Sequence, residues 1–180
     1  MTEKSELKEE ISIPDEVEVT FVDNTITVKG EKGILKRNFS HPKININIEG
    51  KKIIIKSRNP RKKQKALVGT FRAHINNMIK GTMKEFEYKM KTVFSHFPIK
   101  TSVEGQKFII QNFLGERSSR KAVILEGVNV DIKGDDITVK GIDIEKVGQT
   151  VANIERATLV KNRDIRVFQD GVYRITKGGK

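Results

Sequence analysis

The sequence predicts an α+β protein made of two tandem duplicated domains, each an antiparallel sheet with one helix packed on a face. Residues 44–56 recur 84 positions later at 128–140, with five of thirteen paired positions identical (Asn45/Asn129, Ile48/Ile132, Gly50/Gly134, Ile53/Ile137, Lys56/Lys140). Three more pairs exchange Ile for Val at apolar places. After each copy the hydrophobic period changes from about 2 to about 3.6, so strands give way to an amphipathic helix. The 180 residues leave room for two domains of roughly 80 to 100 residues, taken as 1–84 and 85–180.

In chain order, the first ten residues are charged and are expected to fray. Val17 to Phe21 alternate apolar and polar side chains, break at Asp23-Asn24 and resume at Ile26 to Val28 before Gly30, which is a hairpin by period and turn chemistry. Ile34 to Phe39 form a further strand, and the repeated unit is a hairpin turning at Glu49-Gly50-Lys51. From Ala66 the apolar residues Leu67, Phe71, Ile75, Met78 and Ile79 mark one helix face, ending near Gly81.

The second copy repeats the scheme. A strand spans Met90 to Phe97, another centres on Ile109 and Ile110, a polar loop covers Gly115 to Lys121, and Val123 to Leu125 lead into the repeated hairpin. Asp143 is placed to cap a helix whose apolar positions are Ile144, Val147, Val151 and Ile154. Gly148 then matches Gly69, and Ala152 and Ile154 match Ala73 and Ile75, at an offset of 79. The first copy therefore has five extra residues between hairpin and helix, within Ser57 to Lys65. Glycine is unfavourable inside a helix by about 1 kcal/mol, so the paired glycines predict a close approach of helix to sheet.

Thirty-five Lys and Arg against 23 Asp and Glu give a net charge of +12. Residues 1–84 hold 18 basic and 10 acidic side chains (+8), and residues 85–180 hold 17 and 13 (+4). This balance points to a polyanionic partner, because neutralising phosphates releases condensed counterions. The absence of Cys excludes disulfides and thiolate metal sites. With no apolar leader and no run near the roughly 18 apolar residues of a membrane span, the expectation is a soluble cytoplasmic protein with no membrane partner.

Two basic segments are candidate sites. Between 51 and 65 there are eight basic residues and no acid, and Asn59-Pro60 predicts an exposed loop in which Arg61, Lys62 and Lys63 contact phosphate. At the C-terminus, Lys161, Arg163, Arg166, Arg174, Lys177 and Lys180 face only Asp164 and Asp170. There Gln169-Asp170-Gly171 reads as a tight turn with Gly171 at positive φ, presenting Arg166 and Tyr173 while Phe168 anchors the segment in the core. Gly30-Glu-Lys-Gly33 has the spacing of a KH-domain clamp, but between two strands it reads as a turn. Gly134-Asp135-Asp136 could be a carboxylate pair for metal; its counterpart Gly50-Lys51-Lys52 reverses the charge, so it too is a turn. His41, His74 and His96 do not converge, and no phosphate-binding loop, dinucleotide fingerprint or nucleophile elbow occurs. The chain is expected to be no enzyme and to need no cofactor or metal.

Several strings carry a resemblance: Gly69 to Gly81, Tyr88 to Pro98, Asn112 to Glu116 and, most specifically, Val160 to Tyr173. Over nearly its whole length the chain resembles the archaeal and eukaryotic branch of large ribosomal subunit protein six. The resemblance implies two similar α+β domains, the second binding large-subunit ribosomal RNA near the sarcin–ricin loop, where translational GTPases dock. It places Arg163, Arg166, Gly171 and Tyr173, with Lys177 beyond, at the RNA surface. It also makes the loop after Gly115, with Arg117, Arg120 and Lys121, a second contact. The 51–65 segment is then left for RNA or for neighbouring large-subunit ribosomal proteins, and the lack of long insertions points to an archaeal source. The alternative is a non-ribosomal KH-like or sheet-type regulator of single-stranded RNA. Such a regulator needs exposed stacking aromatics, and with no Trp and two Tyr this chain offers few.

Overall fold

A computed structural model describes residues 6–58 and 60–175 and divides the chain into two compact units, Met1–Glu85 and Phe86–Lys180. Unit 1 contains β1 (Glu6–Ser12), β2 (Glu18–Val22), β3 (Thr25–Gly30), β4 (Gly33–Asn38), β5 (Ile44–Glu49), β6 (Lys52–Arg58) and α1 (Lys62–Met83). Its strands pair antiparallel in two sheets, β2-β3-β4 and β1-β6-β5, and α1 packs on strands of both. Strand alternation turns Ile26, Val28, Ile53 and Ile55 inward to meet Val68 and Ile75 of the helix, and none of the six is exposed. Each such side chain contributes about 1.5–3 kcal/mol when fully buried.

Unit 2 repeats this order with β7 (Phe86–Val93), β8 (Lys100–Glu104), β9 (Lys107–Gln111), β10 (Arg120–Val123), β11 (Val128–Lys133), β12 (Asp136–Gly141) and α2 (Ile144–Ala157). Its sheets are β10-β9-β8 and β11-β12-β7-β13, where β13 (Gly171–Arg174) is an addition without counterpart in unit 1. The two repeated hairpins carry glycine at the same left-handed turn position, Gly50 at φ 60° and Gly134 at φ 62°. Val147 and Ile154 are as deeply buried as their counterparts Val68 and Ile75, and Asp143 caps α2 by accepting the Glu145 amide at 2.9 Å. The α+β duplication is thus present, with each unit built on two sheets rather than one.

Five expectations are corrected. The charged N-terminal segment does not fray from Glu6 onward: Leu7 and Ile11 turn toward the core and every residue of β1 pairs with β6, from Glu6↔Arg58 to Ser12↔Lys52. The basic stretch 51–65 is mostly regular structure, with Pro60 and Arg61 between elements and Asn59 outside the described residues. Lys52 to Arg58 are β6, and Lys62, Lys63 and Lys65 belong to the first turn of α1, which starts four residues before Ala66. Three of the five extra residues lengthen the start of α1, which begins at Lys62 where α2 begins at the equivalent of Lys65. Arg120 and Lys121 open β10 instead of ending a loop, and β7 stops at Val93 so that Phe94 to Pro98 turn away. Finally, a Cβ on Gly69 would meet nothing within 4 Å, and one on Gly148 only the Tyr88 hydroxyl at 3.8 Å. The tight helix approach is at Gly30 instead, where a Cβ would fall 2.7 Å from the Thr82 carbonyl oxygen.

Candidate nucleic-acid interface

After α2 the chain runs through consecutive turns and returns as β13 on the edge of β7. Asp164 organises the first turn: its carbonyl accepts the Val167 and Phe168 amides at 3.1 and 2.9 Å, and its Oδ1 accepts the Arg166 amide at 2.9 Å. Asp170 ties this segment to the one that follows β7. Its carboxylate is fully buried, and Oδ1 accepts the Ser95 amide at 3.1 Å and the Ser95 hydroxyl at 3.0 Å. His96 lies beside it, Nδ1 at 3.9 Å from the same oxygen, with its ring 5.5 Å from that of Phe168. Phe168 is half-buried against the unit 2 core, as expected of an anchor, and the Arg163 guanidinium sits 4.8 Å above its ring.

Gly171 differs from its sequence reading. It has no positive φ and pairs with Val93 inside β13. The position is crowded by Tyr173, whose ring folds back over it so that a Cβ would stand 3.1 Å from Cζ. The Tyr173 hydroxyl donates to the Gln169 carbonyl at 3.0 Å, closing the arrangement. Arg163, Arg166, Tyr173 and Arg174 are all exposed around it, and Lys177 lies outside the described residues.

A third segment joins this surface through Arg120. That guanidinium donates to both Glu116 oxygens at 2.8 and 2.6 Å and to the Ala157 and Leu159 carbonyls at 2.9 and 3.1 Å, and it lies 4.2 Å over the Phe113 ring. With four internal bonds it staples the 116–119 loop to the end of α2 and has little donor capacity left for a partner. Hydrogen bonding from Arg120 holds the Glu116 carboxyl below its usual range, and the charges of Arg120 and Arg163 act in the same direction. Arg117 and Lys121 are exposed. Arg61, Lys62 and Lys63 are exposed too, in unit 1 at the start of α1.

Sequence reading missed Phe94 and Phe97, which are 39% and 43% exposed and flank Ser95 and His96. Extending the alternation of β7 would have turned Phe94 inward. The usable signal was Pro98, which cannot continue a paired strand. Among the described residues no cluster of His, Asp or Glu could hold a metal ion, and no helix is long and apolar enough to cross a membrane.

The duplicated fold and its exposed arginines and aromatics define a basic protein of two related α+β units. Residues 13–85 and 97–171 each match the family described as Ribosomal protein L6, one match per unit, and the chain belongs to that family. It is 47% identical over 174 residues to the large ribosomal subunit protein uL6 of Methanococcus vannielii, covering 97% of this chain and 96% of the relative. The uL6 proteins of Methanobrevibacter smithii and Methanosphaera stadtmanae are 48% and 50% identical, over 95% and 98% of this chain and 96% and 97% of their own lengths. The family consists of structural ribosomal proteins, so the chain is not an enzyme.

Proposed function

We propose that the chain is a structural constituent of the large ribosomal subunit that binds large-subunit ribosomal RNA chiefly through unit 2. Bound there, it stabilises RNA tertiary structure near the sarcin–ricin loop, beside neighbouring ribosomal proteins and the docking region of translational GTPases, in the cytoplasm. The observation that carries this reading is the Asp170–Ser95 tie. It fixes a segment bearing Arg163, Arg166, Tyr173 and Arg174 against one bearing Phe94 and Phe97. Cations positioned in this way contact phosphate, and exposed rings stack on unpaired bases.

The test is sedimentation of the tagged chain in a lysate of an archaeal host. Co-migration with the large subunit at physiological salt, weakened when Arg163 and Arg166 are both replaced by Ala, is the expected result. A chain that stays in the light fractions would overturn the proposal.

A further inference from the structure

One end of the outer face of the β1-β6-β5 sheet in unit 1 is a cation-rich groove. Strand alternation sends Ile44, Ile46, Ile53 and Ile55 into the core and leaves Asn45, Asn47, Lys56 and Arg58 on the opposite side. With Lys43 and Arg61 these line an open groove of about 660 Å³. At the far end of the same face the charges are mutually satisfied: Glu10 pairs with Lys8 at 2.6 Å and with Lys52 at 3.1 Å. In the groove they are not. Glu6 is the one carboxylate among the described lining residues, and none of the described ion pairs involves Lys43, Lys56, Arg58 or Arg61.

Unit 2 provides an internal control. Asn129 pairs in register with Lys140 as Asn45 does with Lys56. Across from Lys140, however, stands Glu87, 3.4 Å from its amine, whereas across from Lys56 stands Lys8. Asp131 replaces Asn47, and Asp135 and Asp136 replace Lys51 and Lys52 at the hairpin. On the unit 2 scaffold the outward positions carry both signs, with Glu87, Asp131 and Asp136 among Lys89, Lys91, Lys133 and Lys140, so its central lysine is neutralised where Lys56 is not.

We infer that this groove is a second RNA site, in which Lys43, Lys56, Arg58 and Arg61 with Asn45 and Asn47 hold the sugar–phosphate backbone of large-subunit ribosomal RNA. The inference rests on the ribosomal reading above and adds a contact separate from that of unit 2. Among the described residues no aromatic side chain lines the groove, and so none offers a platform for stacked bases. Cations contact phosphate oxygens, and the asparagine amides donate to phosphate and 2′-hydroxyl groups. A protein partner fits poorly, because interface cores gather aromatic and apolar anchors and shed lysine. The apolar residue on this outer face, Ile54, is only 4% exposed.

The test uses the full chain and large-subunit rRNA, with affinity measured against salt. Lys56→Gln with Arg58→Gln keeps the side-chain stems and should lower the slope of log affinity on log salt by about two, at roughly 0.9 per lost phosphate contact. Asn45→Ala with Asn47→Ala should weaken binding by about tenfold at unchanged slope, since neutral hydrogen bonds are lost. Melting curves matching the parent show that the variants remain folded. If the parent binds with steep salt dependence and the Lys56/Arg58 variant behaves identically, the groove inference fails and the unit 2 reading stands. If the parent shows no salt-dependent rRNA binding, both fail. A groove variant with parental RNA affinity that loses cross-links to a neighbouring ribosomal protein in assembled subunits would reassign the groove to a protein and overturn the RNA inference.

Discussion

Asp170 and Ser95, 75 positions apart, are joined by two hydrogen bonds to one buried carboxylate oxygen. This tie makes the C-terminal segment part of the unit 2 fold rather than a basic tail. Ser95→Ala removes the hydroxyl bond at 3.0 Å and leaves the amide bond. It should lower unfolding free energy by about 1 kcal/mol and weaken rRNA binding without changing net charge. Denaturant titration and binding on the same variant check both, and parental values in each would show that the tie is idle.

Gly30 and Gly69 should respond oppositely to alanine. At Gly30 the new Cβ would collide with Thr82 backbone at 2.7 Å, so β3 and α1 must separate. At Gly69 it meets nothing within 4 Å in a helix interior, and the change should stabilise by about 0.5–1 kcal/mol. Shifts of the unit 1 denaturation midpoint in opposite directions are the expected outcome.

Glu116 gives a pH dependence with a definite sign. Its carboxyl is held below the ordinary value of 4.5, chiefly by the Arg120 hydrogen bond, so it favours the folded state above the unfolded value. That contribution is lost as pH falls through the lower folded value. The stability difference between the parent and Glu116→Gln should be largest near neutrality and shrink below about pH 4.5. Thermal melts from pH 7 to 3 measure it; a difference that grew on acidification would contradict the Arg120–Glu116 assignment.

Much of the fold was legible because it is written in local patterns. The repeated hairpins declare themselves by alternation and a turn glycine, and α2 by Asp143 and a period of about 3.6. What was hidden depends on partners remote in sequence. Glu6 to Ser12 look unstructured until β6 supplies their pairing. The first turn of α1, Lys62 to Lys65, has no apolar residue to mark its period. Arg120 resembles a surface cation but finds its acceptors on Ala157 and Leu159, 37 and 39 positions away. Gly171 was expected to need a positive φ and does not have one; what crowds the position is the Tyr173 ring, a contact invisible in the local sequence.

The most direct test of the central claim, a preorganised RNA contact in unit 2, is the rRNA affinity of Gly171→Ala. The substitution alters no charge, and β13 accommodates alanine's backbone, but its methyl group would stand 3.1 Å from the Tyr173 ring, so the ring must shift and its bond to the Gln169 carbonyl should weaken. The expected result is a loss of affinity of about tenfold, the equivalent of roughly 1.4 kcal/mol, with the salt slope unchanged and the melting curve close to the parent. Parental affinity for Gly171→Ala, beside a marked loss for Arg163→Ala with Arg166→Ala, would show that charge alone is recognised and would contradict the account.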